Sequence, residues 1–308
     1  MANAVAPLGT ITPLVTPFRL GTIDQRQLAA LVDRQVFSGI DGIVVCDPTG
    51  EGSCLSEHER DDVIWDTIAA TRDRIPVIAA TGTNCTSRTI DLTHRSAELG
   101  AKAALVTVPY YSKPGDRGII HHFQQVAMAT GVPIIIDDDP ERTASRLSVS
   151  IIAELANVPN IVGVRHCSGD IAAFLAMPSE LKSRFVHYGG HDQTALSFLM
   201  AGGSSVISPT ANLVPQLVSS LQKAAVGMNL PAAVAIYQRL FPLMTALGQI
   251  GPPSIKHALV LLTGSNPDVR LPLMAVERKE ADAIAAALAP YFAPESAFRL
   301  KRHLQIWG

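Results

Sequence analysis

Lysine is scarce in this chain of 308 residues. Of the 25 basic residues, 18 are arginine and seven are lysine: Lys102, Lys113, Lys182, Lys223, Lys256, Lys279 and Lys301. Cysteine is scarce as well. Cys46, Cys54, Cys85 and Cys167 are never at C-x-x-C spacing. No histidine falls at zinc-ligand distance from them, which argues against a metal site and reads as reduced thiols. There is no excess charge of either sign: Asp+Glu is 27, the net charge is -2 and the pI is near 6.5. A near-neutral chain without a basic stripe is not expected to seek nucleic acid. No apolar run approaches the ~20 residues that span a bilayer, so no membrane partner is expected. Met1 to Thr10 carries no basic or long apolar leader segment, so a signal peptide is not expected and the default location is the cytoplasm. What the chain does have is 47% hydrophobic residues against 17% charged ones. That excludes disorder and supplies a large core.

Short apolar runs alternate with amphipathic stretches. Apolar runs without alternation read as strands buried on both faces, as in a parallel sheet. Eight are expected: Thr10–Thr16, Gly42–Asp47, Pro76–Thr81, Ala103–Val108, Pro133–Asp137, Ile161–Arg165, Phe185–Tyr188 and Ser205–Ser208. Ser56-Glu57-His58-Glu59 reads as a capping box, with Ser56 accepting from the third amide and Glu59 reaching back. Helices over Thr86–Leu99 and Gly118–Thr130 stop at Gly100 and Gly131. His121 and His122, at a helix start, read as surface residues. Eight strand–helix units of roughly 25–30 residues predict an α/β fold, a (β/α)8 TIM barrel over residues 1–226. A helical appendage follows over 227–308, with helices expected at Pro231–Leu247, Ser254–Leu262, Glu277–Leu288 and Pro294–Leu304. Periodicity alone leaves a doubly wound sheet as the alternative.

In such a barrel the chemistry sits at the C-terminal ends of the strands. Those ends carry Asp47-Pro48-Thr49-Gly50-Glu51, Pro109-Tyr110-Tyr111, Asp137-Asp138-Asp139-Pro140-Glu141-Arg142, Arg165-His166-Cys167, Gly189-Gly190-His191-Asp192 and Ile207-Ser208-Pro209-Thr210. Arg142 can fork a carboxylate or simply pair with a local Asp. Thr49-Gly50 offers backbone N–H groups as an anion nest, or only a tight turn. Tyr111 can relay a proton or pack. The run of three aspartates is a weak metal signal, and a solvated loop is the simpler reading.

Taken in order, Thr49-Gly50-Glu51, Pro109-Tyr110-Tyr111, Pro140-x-Arg142-Thr143 and Gly202-Gly203-x-x-Val206-Ile207-Ser208-x-Thr210-Ala211-Asn212 resemble the dihydrodipicolinate synthase / N-acetylneuraminate lyase family. The likeness runs from Gly9-x-x-Thr12-Pro13 to Arg270-Leu271-Pro272. It implies an aldolase-like lyase of the cytoplasm, usually a homotetramer (a dimer of dimers). Such enzymes join or cleave carbon–carbon bonds beside a 2-keto acid held as a Schiff base on lysine. No cofactor and no metal are implied. The resemblance also implies that Tyr111 reaches into a neighbouring subunit's site and that Thr49, Tyr110, Arg142 and Ile207 are retained site positions.

At the centre of the site the pattern breaks. The family's I-x-G-x-K lysine is Arg165 here, in Ile161-Val162-Gly163-Val164-Arg165. The relay tyrosine is Asp137 and the Asn after it Asp138. The first Thr of the T-T-G-E turn is Pro48, which removes a hydroxyl and an N–H together. The acid after the lysine is His166. An imine needs a neutral amine. Lowering a lysine from about 10.4 to about 7 takes roughly 4–5 kcal/mol of environment. Arginine starts above 12 and delocalises its lone pair, so Arg165 is not expected to form one. None of the seven lysines ends a barrel strand.

Asp137 and Arg165 end adjacent strands ~4.8 Å apart, and an ion pair between them is expected. Candidate catalytic residues are therefore Thr49, Tyr111, Asp137 and Arg165. Candidate substrate-binding residues are Pro48, Gly50, Arg142, His166 and Ile207. The favoured reading is a lyase-family protein that binds a small keto acid or carboxylate without lysine chemistry. The alternatives are a catalytically silent carboxylate-binding or regulatory protein, and ordinary 4-hydroxy-tetrahydrodipicolinate synthase activity.

Overall fold

All eight expected strands form, each within two or three residues of its expected ends, in a computed structural model that describes residues 6–248 and 251–291. They are β1 (Thr10–Pro13), β2 (Gly42–Val45), β3 (Val77–Ala80), β4 (Ala103–Thr107), β5 (Ile134–Asp138), β6 (Ile161–His166), β7 (Val186–Gly189) and β8 (Ser205–Ile207). Every neighbouring pair is parallel. β1 pairs with β8 through Thr10↔Val206 and Ile11↔Ile207, which closes the barrel and removes the doubly wound alternative. A short antiparallel hairpin, Phe18–Arg19 with Thr22–Ile23, was not expected.

The barrel interior is packed. Ile11, Val44, Ile78, Leu105, Ile135, Tyr188 and Ile207 form one buried cluster. Side chains alternate along each strand, so Arg165 and Tyr188, paired in register, share the inner face while His166 turns outward. Asn212 fastens the ends of the barrel. Its amide donates to the Pro13 carbonyl at 2.7 Å and its Oδ1 accepts from Val15 N at 3.2 Å. The Thr-Ala-Asn part of the sequence pattern is thus a structural splint.

The local signals behave as their physics requires. Ser56 Oγ accepts from Glu59 N and Glu59 Oε2 accepts from Ser56 N, the predicted capping box. Gly131 takes the left-handed conformation (φ 62°) that ends the helix Asp116–Thr130. His122 corrects the expectation of a surface residue. It lies on the buried stripe Ile119, His122, Phe123, Val126 of that helix, the i, i+3, i+4, i+7 face, whereas His121 is exposed.

The appendage begins with Leu230–Gly248, which is long and apolar enough to cross a membrane by length and composition alone. Here it places Leu243 and Leu247 in the same core cluster as Leu14, Val15 and Phe18 of the barrel. The helices Pro252–Thr263 and Arg278–Leu288 follow. The expected helix at Pro294–Leu304 lies outside the described residues. A charged clamp joins appendage and barrel. Lys256 Nζ lies 2.5 Å from Glu51 Oε1, donates to the Asp268 carbonyl at 2.7 Å and sits 4.1 Å from the centre of the Phe18 ring. Arg270 donates its backbone N–H to Glu51 Oε2 and forks both oxygens of Glu59.

Burial lowers the His122 pKa to about 4, against about 6.5 in an unfolded chain. A depressed value means that neutral His122 gives its full contribution above pH 6.5. That contribution is lost as pH falls and the unfolded chain alone takes the proton, at roughly 1.4 kcal/mol per pH unit down to about pH 4. His122→Asn can keep the 3.0 Å contact that Nδ1 makes with Thr86 Oγ1 and removes the titration. Urea unfolding of both proteins between pH 7.5 and 4.5 should show the wild type losing about 2–3 kcal/mol relative to the variant. Parallel curves would show that His122 titrates normally in the fold.

Candidate functional site

β2 ends in a sharp reversal. Cys46 adopts φ 62° and Glu51 φ 54°, both left-handed, which is costly for residues with a Cβ. Gly52 permits the reversal, since a Cβ there would fall 1.8 Å from the Cys46 carbonyl oxygen. Between them Asp47 points into the barrel mouth, 2% exposed. Its Oδ1 accepts the Gly50 N–H at 3.1 Å, and the Gly50 carbonyl accepts from Thr16 Oγ1 at 2.7 Å. The expected nest is therefore corrected: the Gly50 N–H is already used by Asp47 and does not face a ligand.

β5 and β6 run in register with Asp137 opposite Arg165. The expected ion pair is present, Arg165 Nη1 to Asp137 Oδ1 at 3.6 Å. A second carboxylate is closer, Asp47 Oδ2 at 3.4 Å from the same nitrogen. Cys167 Sγ donates to Asp137 Oδ1 at 3.5 Å. All of these side chains are nearly inaccessible except Cys167, which is half-buried. Burial raises the pKa of both Asp47 and Asp137, and the guanidinium works against that rise. Burial also opposes the Arg165 charge, but the acids around it, Asp137 and Asp47 among them, prevail and raise its pKa. Two carboxylates on one cation would leave a net negative charge in a dry site, so the cluster favours holding a proton.

The three consecutive aspartates point three ways. Asp137 faces Arg165. Asp138 faces outward, accepts from Leu147 N at 3.3 Å, and burial pushes its pKa up to about 7. Asp139 caps the short helix Pro140–Thr143 and pairs with Arg142 Nε at 3.2 Å. Arg142 remains 59% exposed at its side chain, so most of its fork is available.

Above Arg165 opens a cavity of about 410 Å³. Its floor is Asp47, Arg165, Cys167 and Gly190, and its rim includes Pro48, Thr49, Asp139, Glu141, Arg142 and Asp192. The appendage forms the far wall with Met244, Leu247, Pro252 and Ile255. Of the nine residues expected at the site, Pro48, Thr49, Arg142 and Arg165 line this cavity. Asp137 lies beside it as a partner of Arg165. Ile207 is fully buried in the barrel interior. His166 faces outward from the barrel, its Nε2 2.9 Å from His187 Nδ1, and burial with the neighbouring imidazole lowers its pKa to about 3. Tyr111 is 92% exposed and left-handed, φ 66°.

Asp47, Cys167 and Gly190 are the site residues that sequence reasoning missed. Asp47 had a readable signal, an acid at a strand end directly before the Thr49-Gly50 turn. Lys256 is too firmly held to replace the missing lysine. Burial lowers its pKa, but the Glu51 carboxylate opposes that shift, and its Nζ is engaged with Glu51 and Asp268.

The family model described as the Dihydrodipicolinate synthetase family matches residues 6–290. The chain belongs to the dihydrodipicolinate synthetase family. It is 39% identical to a 4-hydroxy-tetrahydrodipicolinate synthase of Rhodospirillum centenum, covering 91% of this chain and 97% of that one. It is 37% identical to one of Neisseria meningitidis over the same shares. Among solved structures, the dihydrodipicolinate synthase of Aquifex aeolicus superposes with a TM-score of 0.89 at 33% identity, covering 92% of this chain and 98% of that one. The chloride-inhibited synthase of Acinetobacter baumannii, solved in complex with pyruvate, gives the same four values. The TIM barrel, the helical region after it and the lyase family are thereby established.

The two carboxylates around Arg165 bear on any attempt to restore a lysine. Arg165→Lys would place an ammonium where Asp47 and Asp137 favour its charged form. Incubated with pyruvate and borohydride, that single variant should give no mass adduct at pH 7–8. Arg165→Lys with Asp137→Tyr should give one. An adduct on the single variant would mean that the carboxylates do not hold the amine protonated.

Proposed function

We propose that this family member binds a small 2-keto acid or carboxylate at the barrel mouth and carries out lyase-type chemistry without a lysine imine. The observation that carries the reading is Arg165 at the strand end, tied to Asp47 and Asp137 where an amine nucleophile would stand. Arg142 is the anchor for a carboxylate, because it combines an exposed fork with a place on the cavity rim. The two arginines share the lining with Asp47, Asp139, Glu141 and Asp192. With no surplus of positive charge, a ligand with one carboxylate fits better than one with two. Thr49 offers a hydroxyl beside it. In this reading residues 1–226 supply the floor and rim of the site, and residues 227–308 contribute its far wall.

Tyr111 belongs to the same proposal. Its large exposed ring on a strained loop supports a homo-oligomer, a dimer of dimers, in which the ring reaches a neighbouring subunit's site. The names of the relatives favour a second reading, ordinary 4-hydroxy-tetrahydrodipicolinate synthase activity, and the identities of 37–39% support it. A non-catalytic carboxylate-binding role shares the cavity and predicts binding without turnover.

Borohydride reduction separates the readings. Wild-type protein with pyruvate should show no covalent mass increase, while keto acids raise its melting temperature. Arg142→Ala should weaken keto-acid binding by about ten- to a hundredfold, the loss of charge-assisted hydrogen bonds worth roughly 1.5–3 kcal/mol. A stable pyruvate adduct on the wild type would overturn the imine-free reading in favour of the synthase.

A further inference from the structure

A second pocket lies outside the barrel wall. Near the C-terminal edge of the sheet, Asp138 of β5, His166 of β6 and Gly189 of β7 stand side by side in register. Each follows an inward-facing residue, so all three belong to the outer face. Helices roof this row, bringing Ile152 from Val149–Leu155, Phe174 from Ile171–Leu175 and Phe198 from Ala195–Met200. Gly189 makes room for the roof, since a Cβ there would fall 2.9 Å from the Phe198 ring. Under the roof remains a pocket of about 60 Å³, room for about four to six water-sized groups at roughly 10–15 Å³ each. Among the described residues, only His191 lines both this pocket and the barrel-mouth cavity.

The charges of the lining leave one group over. Arg146 and Asp170 are the more exposed pair and bond each other at 2.7 Å. His166 is kept neutral by burial and by His187. His191 is tied to Thr194 Oγ1 through Nδ1 at 3.1 Å. Asp138 is the remaining acid, 6% exposed, with the Leu147 N–H donating to its Oδ1. Asp137 and Asp139 on either side add negative potential there. Beside it, His166, Phe174 and Phe198 make a continuous aromatic wall, with centroids 4.6 to 5.6 Å apart. A dry carboxyl next to ring faces favours a cation, which compensates the buried charge and meets the negative faces of the rings.

We propose that this outer pocket binds a small primary ammonium with a short apolar tail, with the Asp138 carboxylate as counter-ion and the His166, Phe174 and Phe198 rings beside the charged head. The tail suits the apolar part of the lining, Val149, Ile152 and Met177. A carboxylate ligand would meet Asp138 as a like charge, and a neutral alcohol would leave that acid uncompensated. The site is independent of the chemistry proposed at the barrel mouth. Its pH dependence follows from Asp138. Burial pushes the Asp138 pKa up to about 7, and an ammonium beside it works the other way. The ionised acid is the form that takes the cation, so apparent affinity scales with the ionised fraction. For a pKa of about 7 that fraction rises about tenfold from pH 6 to pH 8.

The probe is n-propylammonium, titrated into protein with isotope-labelled methionine methyl groups and followed by NMR. Met177 lines this pocket and Met244 lines the barrel-mouth cavity, so the two methyls report the two sites separately. The Met177 signal, assigned with Met177→Leu, should shift saturably while Met244 stays still. Half-saturation should fall about tenfold from pH 6 to pH 8. n-Propanol and propionate should need at least about tenfold higher concentrations. Asp138→Asn retains an acceptor for the Leu147 N–H. It should weaken n-propylammonium at least about tenfold and abolish the pH dependence. Melting curves establish that the variant is folded, and if it is not, the wild-type pH profile and the three probes decide the matter. A shift at Met244 without one at Met177 would overturn the proposal, and so would no saturable shift at all. An equal response to n-propanol or propionate, a flat pH profile, or undiminished binding by folded Asp138→Asn would overturn it as well.

Discussion

One guanidinium sets the electrostatics of the barrel mouth. Arg165 is only 6% exposed, yet it stays charged because Asp47 and Asp137 close on it from the ends of β2 and β5. The dependence is mutual. A buried arginine without these acids would be an uncompensated charge, and either acid without the arginine would be driven to its neutral form. The three residues therefore form one unit. A change in any member alters the protonation of the others, so single substitutions there are not independent.

That unit needs a fixed backbone, and the appendage helps to provide it. The left-handed turn that aims Asp47 continues into Glu51, and Glu51 is held by Lys256 and by the Arg270 backbone. Arg270 in turn forks Glu59, which caps the next helix with Ser56. A chain of ion pairs thus runs from the appendage to the turn beside the site. Buried pairs of this kind contribute little net stability compared with apolar packing, but they fix geometry closely. Their value here lies in orientation. Asp47 can face Arg165 only if the strained segment from Cys46 to Gly52 keeps its shape.

The fold was legible because it is written redundantly. Most of the parallel strands are built around a short apolar run, and Gly100 and Gly131 mark the helix ends beyond two of them, so errors at single residues cancel. The pairing of Asp137 with Arg165 was legible too, because two strand ends in one register must share a face. The second partner was not. Asp47 lies four strands earlier than Arg165, 118 residues away, and the left-handed residue that turns it inward is Cys46, a type that does not announce such a conformation. His166 misled for the opposite reason. It follows Arg165 directly, and one step along a strand carries a side chain to the other face, where it meets His187. His122 looked like a surface residue because a polar type in a helix usually is one, yet the helical stripe it occupies is apolar. Gly190 was invisible in sequence: its importance is the space it leaves beside Arg165.

Identity near 39% is spread over the whole chain, and most of it describes a barrel. The chemistry rests on a handful of strand-end side chains, which contribute almost nothing to such a percentage. The barrel core, the Asn212 splint and the appendage contacts can all be kept while the reacting centre changes character. In the proposed reading the centre differs as a set, with arginine at the strand end and two acids that pair with it. Those same acids make a return to lysine unfavourable one step at a time, since a lysine between two carboxylates is a poor nucleophile. In the imine-free reading proposed above, the charge arrangement around Arg165 matters more than the identity of that single residue.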